Sequence, residues 1–103
     1  MTPEGKVKAA VKRILDRYDP VWYFMPVQSG YGKQGIPDYV ICANGFFIVV
    51  ECKAGTNRLS SLQTATRRTI EDAYGTWLTI NEDNLLALEL LLIKLRCTPN
   101  ETA

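Results

Sequence analysis

Histidine is absent from this 103-residue sequence, and its absence narrows the chemistry that the chain can perform. Catalytic triads built on histidine, zinc hydrolase sites with imidazole ligands and nucleases with a histidine base are all excluded. The three cysteines, Cys42, Cys52 and Cys97, lack the spacing of zinc ligands. Hydrolytic chemistry here must therefore depend on carboxylates, lysine and a metal ion that prefers oxygen ligands.

Long apolar runs are also missing. The first residues lack the apolar stretch of a signal peptide, and the leucine-rich segment 85–95 is interrupted by Glu89 and Lys94 and is too short to span a bilayer. An odd number of widely spaced cysteines fits a reducing compartment better than a disulfide framework. We therefore expect a cytoplasmic protein that forms one domain over residues 1–103 and has no membrane segment.

Charge is divided unevenly along the chain, although the formal net charge is only +1. Residues 1–68 carry ten Lys or Arg against five Asp or Glu, whereas residues 69–103 carry two against six. A basic first part and an acidic last part indicate that one surface meets a polyanion, although an ordinary solvated surface would look the same.

Apolar periodicity and turn residues divide the chain into seven elements. Thr2-Pro3 is a helix start, and Asn44-Gly45 between two apolar runs is typical of a two-residue type I′ hairpin turn. The expected helices are residues 3–18, 60–74 and 83–96, and the expected strands are residues 21–26, 37–43, 46–52 and 76–80. This α-β-β-β-α-β-α order predicts a three-layer α/β/α sandwich on a mixed sheet.

The hairpin turn also predicts a register for the two strands that it joins. With a two-residue turn, Asp38 lies directly opposite Glu51, and both side chains project from the same face of the sheet. Lys53 shares that face and Cys52 points to the other one. Two opposed carboxylates repel each other, so we expect a compensating Mg²⁺ or Mn²⁺ ion. A salt bridge from Lys53 to Asp38 or to Glu51 remains the alternative.

Four motifs in order along the chain resemble those of the PD-(D/E)XK nuclease superfamily. They are Glu4, then Gly35-Ile36-Pro37-Asp38, then Glu51-Cys52-Lys53, then Ser60 to Gln63. Within that superfamily the chain is most similar to the compact VRR-NUC branch, which is similar in turn to archaeal Holliday-junction resolvases. The resemblance covers residues 4 to about 80 and implies a restriction-endonuclease-like fold.

The resemblance also implies roles for individual residues. Asp38 and Glu51 would ligate the metal together with the Cys52 backbone carbonyl, and Lys53 would orient or deprotonate the attacking water. Glu4 matches a first-helix glutamate that contacts the metal, directly or through water, although an acid in a first helical turn also complements the helix dipole. Gln63 matches a glutamine with a catalytic role, although Ser60 and Gln63 also form a capping box pattern.

Basic and aromatic residues flank this constellation. Lys33, Arg58, Arg67 and Arg68 are candidate phosphate contacts, and Tyr31 is placed to stack on an unpaired base. The sequence thus predicts a Mg²⁺- or Mn²⁺-dependent endonuclease that acts on branched or structured DNA such as a Holliday junction. A non-catalytic DNA-binding or assembly module with the same fold is the alternative, and a restriction-type cutter of specific sequence is disfavoured by the short chain.

Leucines around the whole circumference of the last predicted helix favour a homodimer. A helix in a small monomer needs one apolar stripe, yet residues 85–95 hold eight Leu or Ile side chains. We expect outward-facing leucines, with Leu88 and Leu92 among them, to be buried against a second copy. Burial by the first helix and residues 19–26 of the same chain is the alternative.

Overall fold

A four-stranded mixed sheet forms the centre of the protein, and three helices pack around it. The computed structural model describes residues 1–27 and 34–101. The elements in chain order are α1 (Pro3–Arg17), β1 (Tyr18–Asp19), β2 (Val21–Phe24), β3 (Tyr39–Ala43), β4 (Phe46–Cys52), α2 (Ser61–Asp72), β5 (Thr76–Ile80), α3 (Leu85–Lys94) and β6 (Thr98–Pro99). The expected α/β class with a mixed sheet is therefore confirmed.

The strand order in the sheet is β2-β3-β4-β5. Strands β2, β3 and β4 are antiparallel neighbours, whereas β5 runs parallel to β4 because α2 carries the chain back across the sheet. The antiparallel pairs follow one another along the chain, so only the last connection needs a crossover. This arrangement places the end of β4 between the start of β3 and the end of β5.

The hairpin between β3 and β4 has the register that its turn predicts. Asn44 and Gly45 both have positive φ angles, 49° and 86°, as a type I′ turn requires. Ala43 pairs with Phe46 at the turn, and Tyr39 pairs with Val50 at the far end of the ladder. The predicted register is confirmed, and Asp38 and Glu51 occupy the next opposed positions beyond the last pair.

The core lies on the sheet face that α1 and α3 cover. It contains alternate residues of β3 and β4, with Val11 and Leu15 of α1 and with Leu88 and Leu92 of α3. The residues that alternate with these core residues along β3 and β4 face α2. Among them, Val40 and Val49 line a cavity together with residues of that helix. Burial on the α2 side is weaker, and no residue of α2 is fully buried.

Two short strands at the ends of the helices α1 and α3 were not predicted from the sequence. Strand β1 pairs with β6, with Tyr18 opposite Pro99 and Asp19 opposite Thr98. Two-residue strands contain no periodicity that a sequence pattern could reveal. The pairing joins the end of α1 to the chain that follows α3.

The predicted orientation of α3 is wrong for two of its leucines. Leu88 and Leu92 are fully buried in the core, whereas Leu86, Leu90 and Ile93 are 60%, 57% and 51% exposed. A helix that is apolar on every side shows no preferred face, so packing against α1 and β5 alone decides which side is covered. Among the described helices, none is long and apolar enough to cross a membrane.

The buried and exposed leucines of α3 should differ strongly in their contribution to stability. We expect Leu88→Ala to lower the free energy of unfolding by about 2–5 kcal/mol, because the cavity that it leaves cannot be refilled. Leu90→Ala, on the exposed side, should change it by about 0.5 kcal/mol or less when both variants are measured at a protein concentration low enough to keep the chain monomeric. Urea denaturation measures both values, and similar losses for the two variants would contradict this orientation of α3.

Candidate active site

Asp38 and Glu51 lie side by side at the end of the β3–β4 ladder and are both buried. Their exposed fractions are 8% and 4%, and they are the only charged side chains among the described residues that are buried to this degree. The register places them on the same face, one step beyond the Tyr39–Val50 pair. Two buried carboxylates this close in a sheet are costly unless cations or hydrogen-bond donors compensate them.

The Asp38 carboxylate has one partner on each oxygen. Its Oδ2 accepts a hydrogen bond of 2.8 Å from the backbone N–H of Cys52. Its Oδ1 lies 3.2 Å from Nζ of Lys8, on α1. The aspartate is therefore fixed against both the neighbouring strand and the first helix.

Lys8 is a member of the site that no sequence pattern revealed. Burial, the largest single effect, would lower the pKa of Lys8, but the charge and hydrogen bond of Asp38 together with the charge of Glu4 outweigh it and the pKa is raised. Lys8 also lies 3.9 Å from Oε2 of Glu4, one helical turn earlier. The spacing of Glu4 and Lys8 is visible in the sequence, but nothing in the sequence points from Lys8 to the start of β3.

The Glu51 carboxylate is held through one of its oxygens only. Its Oε2 accepts a 3.0 Å hydrogen bond from Nε2 of Gln63 and lies 3.4 Å from Nζ of Lys53. Its Oε1 is buried and has no hydrogen-bond partner among the described residues. A buried carboxylate oxygen without a protein partner is rare in folded proteins and is open to a water molecule or an ion.

The electrostatic surroundings of Glu51 favour its protonated form. Burial and, to a smaller degree, the negative charge of Asp38 raise the pKa of Glu51, Lys53 offsets part of both effects, and the resulting pKa is about 7. A cation beside Oε1 would act in the opposite direction and favour the carboxylate.

Gln63 completes the capping box that its spacing from Ser60 predicts, and it also contacts Glu51. Its Oε1 accepts a hydrogen bond from the N–H of Ser60, and its own backbone N–H donates to Oγ of Ser60, which completes the capping box at the start of α2. Its Nε2 at the same time donates to Glu51. The cap therefore fixes the amide that holds Glu51 in place.

The segment before Asp38 packs against the start of α2. Gly35 has a φ of +77°, and a Cβ atom at this position would lie only 2.6 Å from the carbonyl oxygen of Leu62. Both the backbone conformation and the close approach require glycine. Gly35 thus lets this segment, which leads to Asp38, pack closely on the helix that carries Gln63.

Cys52 takes part in the site through its backbone. Its side chain is fully buried on the opposite face of the sheet, and burial raises the pKa of the thiol to about 12. The N–H of Cys52 points to Asp38, and the N–H and C=O of one strand residue point to the same edge. The carbonyl is therefore directed to the side of β4 on which Asp38 lies.

None of the other predicted residues that the structure describes has an ion pair or hydrogen bond to Asp38 or Glu51. Glu4 contacts Lys8 and neither Asp38 nor Glu51 directly within the described contacts. Arg58, Arg67 and Arg68 are exposed on the loop before α2 and on α2 itself, where Arg67 pairs with Glu71 at 3.3 Å. Tyr31 and Lys33 lie outside the described residues.

The structure also bears on the salt bridge that was the alternative to a metal. Lys53 pairs with Glu51, as that alternative allowed, but Asp38 is not left without a partner because Lys8 contacts it. Over residues 1–27 and 34–101, no group of three Asp, Glu or Cys side chains converges to hold a metal on its own. A metal here would need a backbone carbonyl or water in addition to the two carboxylates.

Comparison with known proteins adds no family assignment. No protein-family model matches the chain, and no curated protein sequence matches it.

The raised pKa of Glu51 predicts how stability changes with pH in metal-free buffer. In the unfolded chain the carboxyl ionises near its ordinary pKa of 4.5, whereas in the folded protein it ionises only near 7. Between these values the folded state binds more protons, so its stability should fall as pH rises and level off above about 7. Glu51→Gln should show no such loss of stability with rising pH, as measured by urea denaturation in the presence of EDTA.

The matched control is Glu101→Gln, which changes an exposed glutamate near the C-terminus. Its stability should fall with rising pH in the same way as that of the wild type. An identical pH profile for wild type and Glu51→Gln would show that Glu51 ionises normally in the folded protein.

Proposed function

We propose that this protein is a metal-dependent endonuclease that hydrolyses DNA phosphodiester bonds. The observation that carries the proposal is the pair of buried, opposed carboxylates of Asp38 and Glu51, with Oε1 of Glu51 buried and unpartnered within the described chain. A protein gains no stability from such an oxygen, so a ligand for it is the simplest explanation. The resemblance to VRR-NUC nucleases, with their restriction-endonuclease-like three-layer fold, agrees with this proposal.

The residues of the site fit a small divalent cation such as Mg²⁺ or Mn²⁺. Asp38 and Glu51 would supply carboxylate oxygens, the Cys52 carbonyl would supply a third, and Glu4 would act through a water molecule. Such all-oxygen donor sets with several waters are typical of Mg²⁺. The bound ion would lower the pKa of the attacking water and would compensate the negative charge on the phosphate.

Lys53 and Gln63 would prepare the site from the protein side. The Lys53 ammonium, 3.4 Å from Glu51, lies where it can orient the attacking water and stabilise negative charge that develops on the phosphate. Its side chain is 15% exposed, so it faces the site without being fully solvated. Gln63 holds Glu51 in position and is itself fixed by the capping box.

DNA would approach over the loop before α2 and over α2. Arg58, Arg67 and Arg68 are exposed there and offer positive charge for phosphates, in the basic part of the chain. Lys33 and Tyr31 belong to the same proposed surface on sequence grounds. We propose branched or structured DNA, such as a four-way junction, as the substrate class.

One observation favours a different function. Each carboxylate already has a lysine partner, Lys8 for Asp38 and Lys53 for Glu51. The four charges could therefore be a structural network in a non-catalytic DNA-binding or assembly module. The unpartnered Oε1 of Glu51 argues against this, because a network selected for stability would satisfy it.

Cleavage of labelled DNA distinguishes the two functions. We expect the wild type to cut four-way junctions in Mg²⁺ or Mn²⁺ and not in EDTA, with 5′-phosphate products. Asp38→Asn, Glu51→Gln and Lys53→Ala should each lower the rate by about 100-fold or more. Lys12→Ala, at an exposed lysine on α1, is the control and should cut normally. DNA binding without cleavage under every condition would support the non-catalytic module.

We further propose that the protein acts as a homodimer through the outer face of α3. Leu86, Leu90 and Ile93 are exposed at spacings of four and three residues and form one apolar stripe on this helix. A two-fold axis beside the stripe would bury it against its copy and give two active sites for a junction with matching symmetry. These three residues take the place of Leu88 and Leu92 as the proposed contact residues, because Leu88 and Leu92 lie in the core.

Sedimentation at micromolar concentration tests the dimer. The wild type should sediment at about twice the chain mass of 11.6 kDa. Leu90→Glu combined with Ile93→Glu should give monomers, because the charges would be buried in the interface. Trp22→Glu, at an exposed aromatic residue of β2, should remain dimeric. A wild type that sediments as a monomer would refute this interface.

A further inference from the structure

Lys8 contacts the centre of the site, yet the proposed hydrolysis gives it no role. Its Nζ lies 3.2 Å from Oδ1 of Asp38, whose side chain is only 9% exposed, whereas the Lys8 side chain is 34% exposed. The opposite Asp38 oxygen, Oδ2, accepts from the Cys52 N–H. The ammonium therefore covers the carboxylate oxygen that is not committed to the backbone.

We propose that the Lys8 ammonium is an internal cation that competes with the divalent metal for Asp38, and that metal binding displaces it toward Glu4. This inference rests on the proposed function, since it takes Asp38 as a metal ligand. Lys8 then compensates the buried carboxylate while no metal is bound, and it sets how tightly the metal binds.

The position of Lys8 is fixed by the core and does not depend on the ion pair. The hydroxyl of Tyr39 donates a 2.8 Å hydrogen bond to the backbone carbonyl of Lys8. Tyr39 is 1% exposed and follows Asp38 directly in the chain. One buried side chain thus places the backbone of Lys8 beside Asp38, while the flexible stem of Lys8 leaves its ammonium free to move.

Lys8 lies on Oδ1 of Asp38, the oxygen that a metal would bind, whereas Lys53 lies on Oε2 of Glu51 and leaves Oε1 open. An ammonium and a metal on the same carboxylate oxygen exclude each other. Mg²⁺ binds carboxylate oxygens at about 2.0–2.1 Å, so it would lie within a few ångströms of the ammonium. The repulsion between the two cations in a partly buried place is large compared with the same repulsion in water. The ammonium must therefore leave Oδ1 when the metal binds.

Within the described residues, Lys8 has one other ion-pair partner besides Asp38, and this partner, Glu4, can accept the displaced ammonium. Its Oε2 lies 3.9 Å from Nζ of Lys8, and its side chain is 41% exposed. The pair has the four-residue spacing, with the acid N-terminal, that suits an ion pair on a helix. A small rotation of the Lys8 side chain is enough to exchange one carboxylate for the other.

Isothermal titration of the folded, metal-free protein with Mn²⁺ tests the competition without any measurement of cleavage. Lys8→Met should bind Mn²⁺ about tenfold more tightly than the wild type, because the competing charge is gone. Lys6→Met removes an exposed lysine of the same helix and is the control for net charge. Its affinity should stay within about twofold of the wild type. Lys8→Arg keeps a competing cation and should not bind more tightly.

Lys8→Gln provides a second uncharged variant if Lys8→Met unfolds, with folding checked by circular dichroism. Equal or weaker Mn²⁺ binding by the uncharged variants, while the wild type binds, would overturn the competition and leave the proposed function intact. Absence of Mn²⁺ binding in the wild type and in both uncharged variants would instead overturn the proposed function itself.

A double-mutant cycle with Glu4→Gln tests the acceptor. In the wild-type background this change should weaken Mn²⁺ binding several-fold more than it does in Lys8→Met, because only in the wild type does Lys8 also lose its second partner. Equal weakening in both backgrounds would overturn the role of Glu4 as acceptor. Glu4 would then act on the metal without Lys8, as a ligand through water would.

Discussion

The register of the β3–β4 hairpin is the constraint on which the candidate site depends. Asn44 and Gly45 form a two-residue turn, and every pair from Ala43–Phe46 to Tyr39–Val50 follows from it. A shift by one residue would move Asp38 and Glu51 to opposite faces of the sheet. Without this register the two carboxylates would not share a site.

Cations and hydrogen-bond donors from three different elements compensate the two carboxylates. Asp38 is held by α1 through Lys8 and by β4 through the Cys52 N–H, and Glu51 is held by α2 through Gln63. Lys8 is itself fixed through Tyr39, and Gln63 through Ser60. Only Oε1 of Glu51 lacks such a partner within the described chain, and the proposed metal would supply one.

The two sides of the sheet differ in how well they are covered. The side that carries α1 and α3 contains nearly all of the buried core, whereas α2 lies more loosely on the other side and has no fully buried residue. The candidate site lies at the boundary between the two sides, close to the start of α2.

Local patterns in the sequence by themselves determined most of the elements and part of the site. The Asn44-Gly45 turn decided the hairpin, and strand alternation from that turn is enough to place Asp38, Glu51 and Lys53 on one face. The Ser60–Gln63 pattern likewise predicted the cap at the start of α2. These features depend on residues close together in the chain or on strand alternation, so the sequence contains them directly.

Contacts between distant parts of the chain were decided by the tertiary structure alone. Lys8 is thirty residues from Asp38, and only the packing of α1 on Tyr39 brings the two together. The buried face of α3 was equally invisible, because a helix with leucines all around offers several equivalent faces and the neighbouring elements select one. Local preference sets each element, but the burial of apolar surface across the whole fold sets which elements meet.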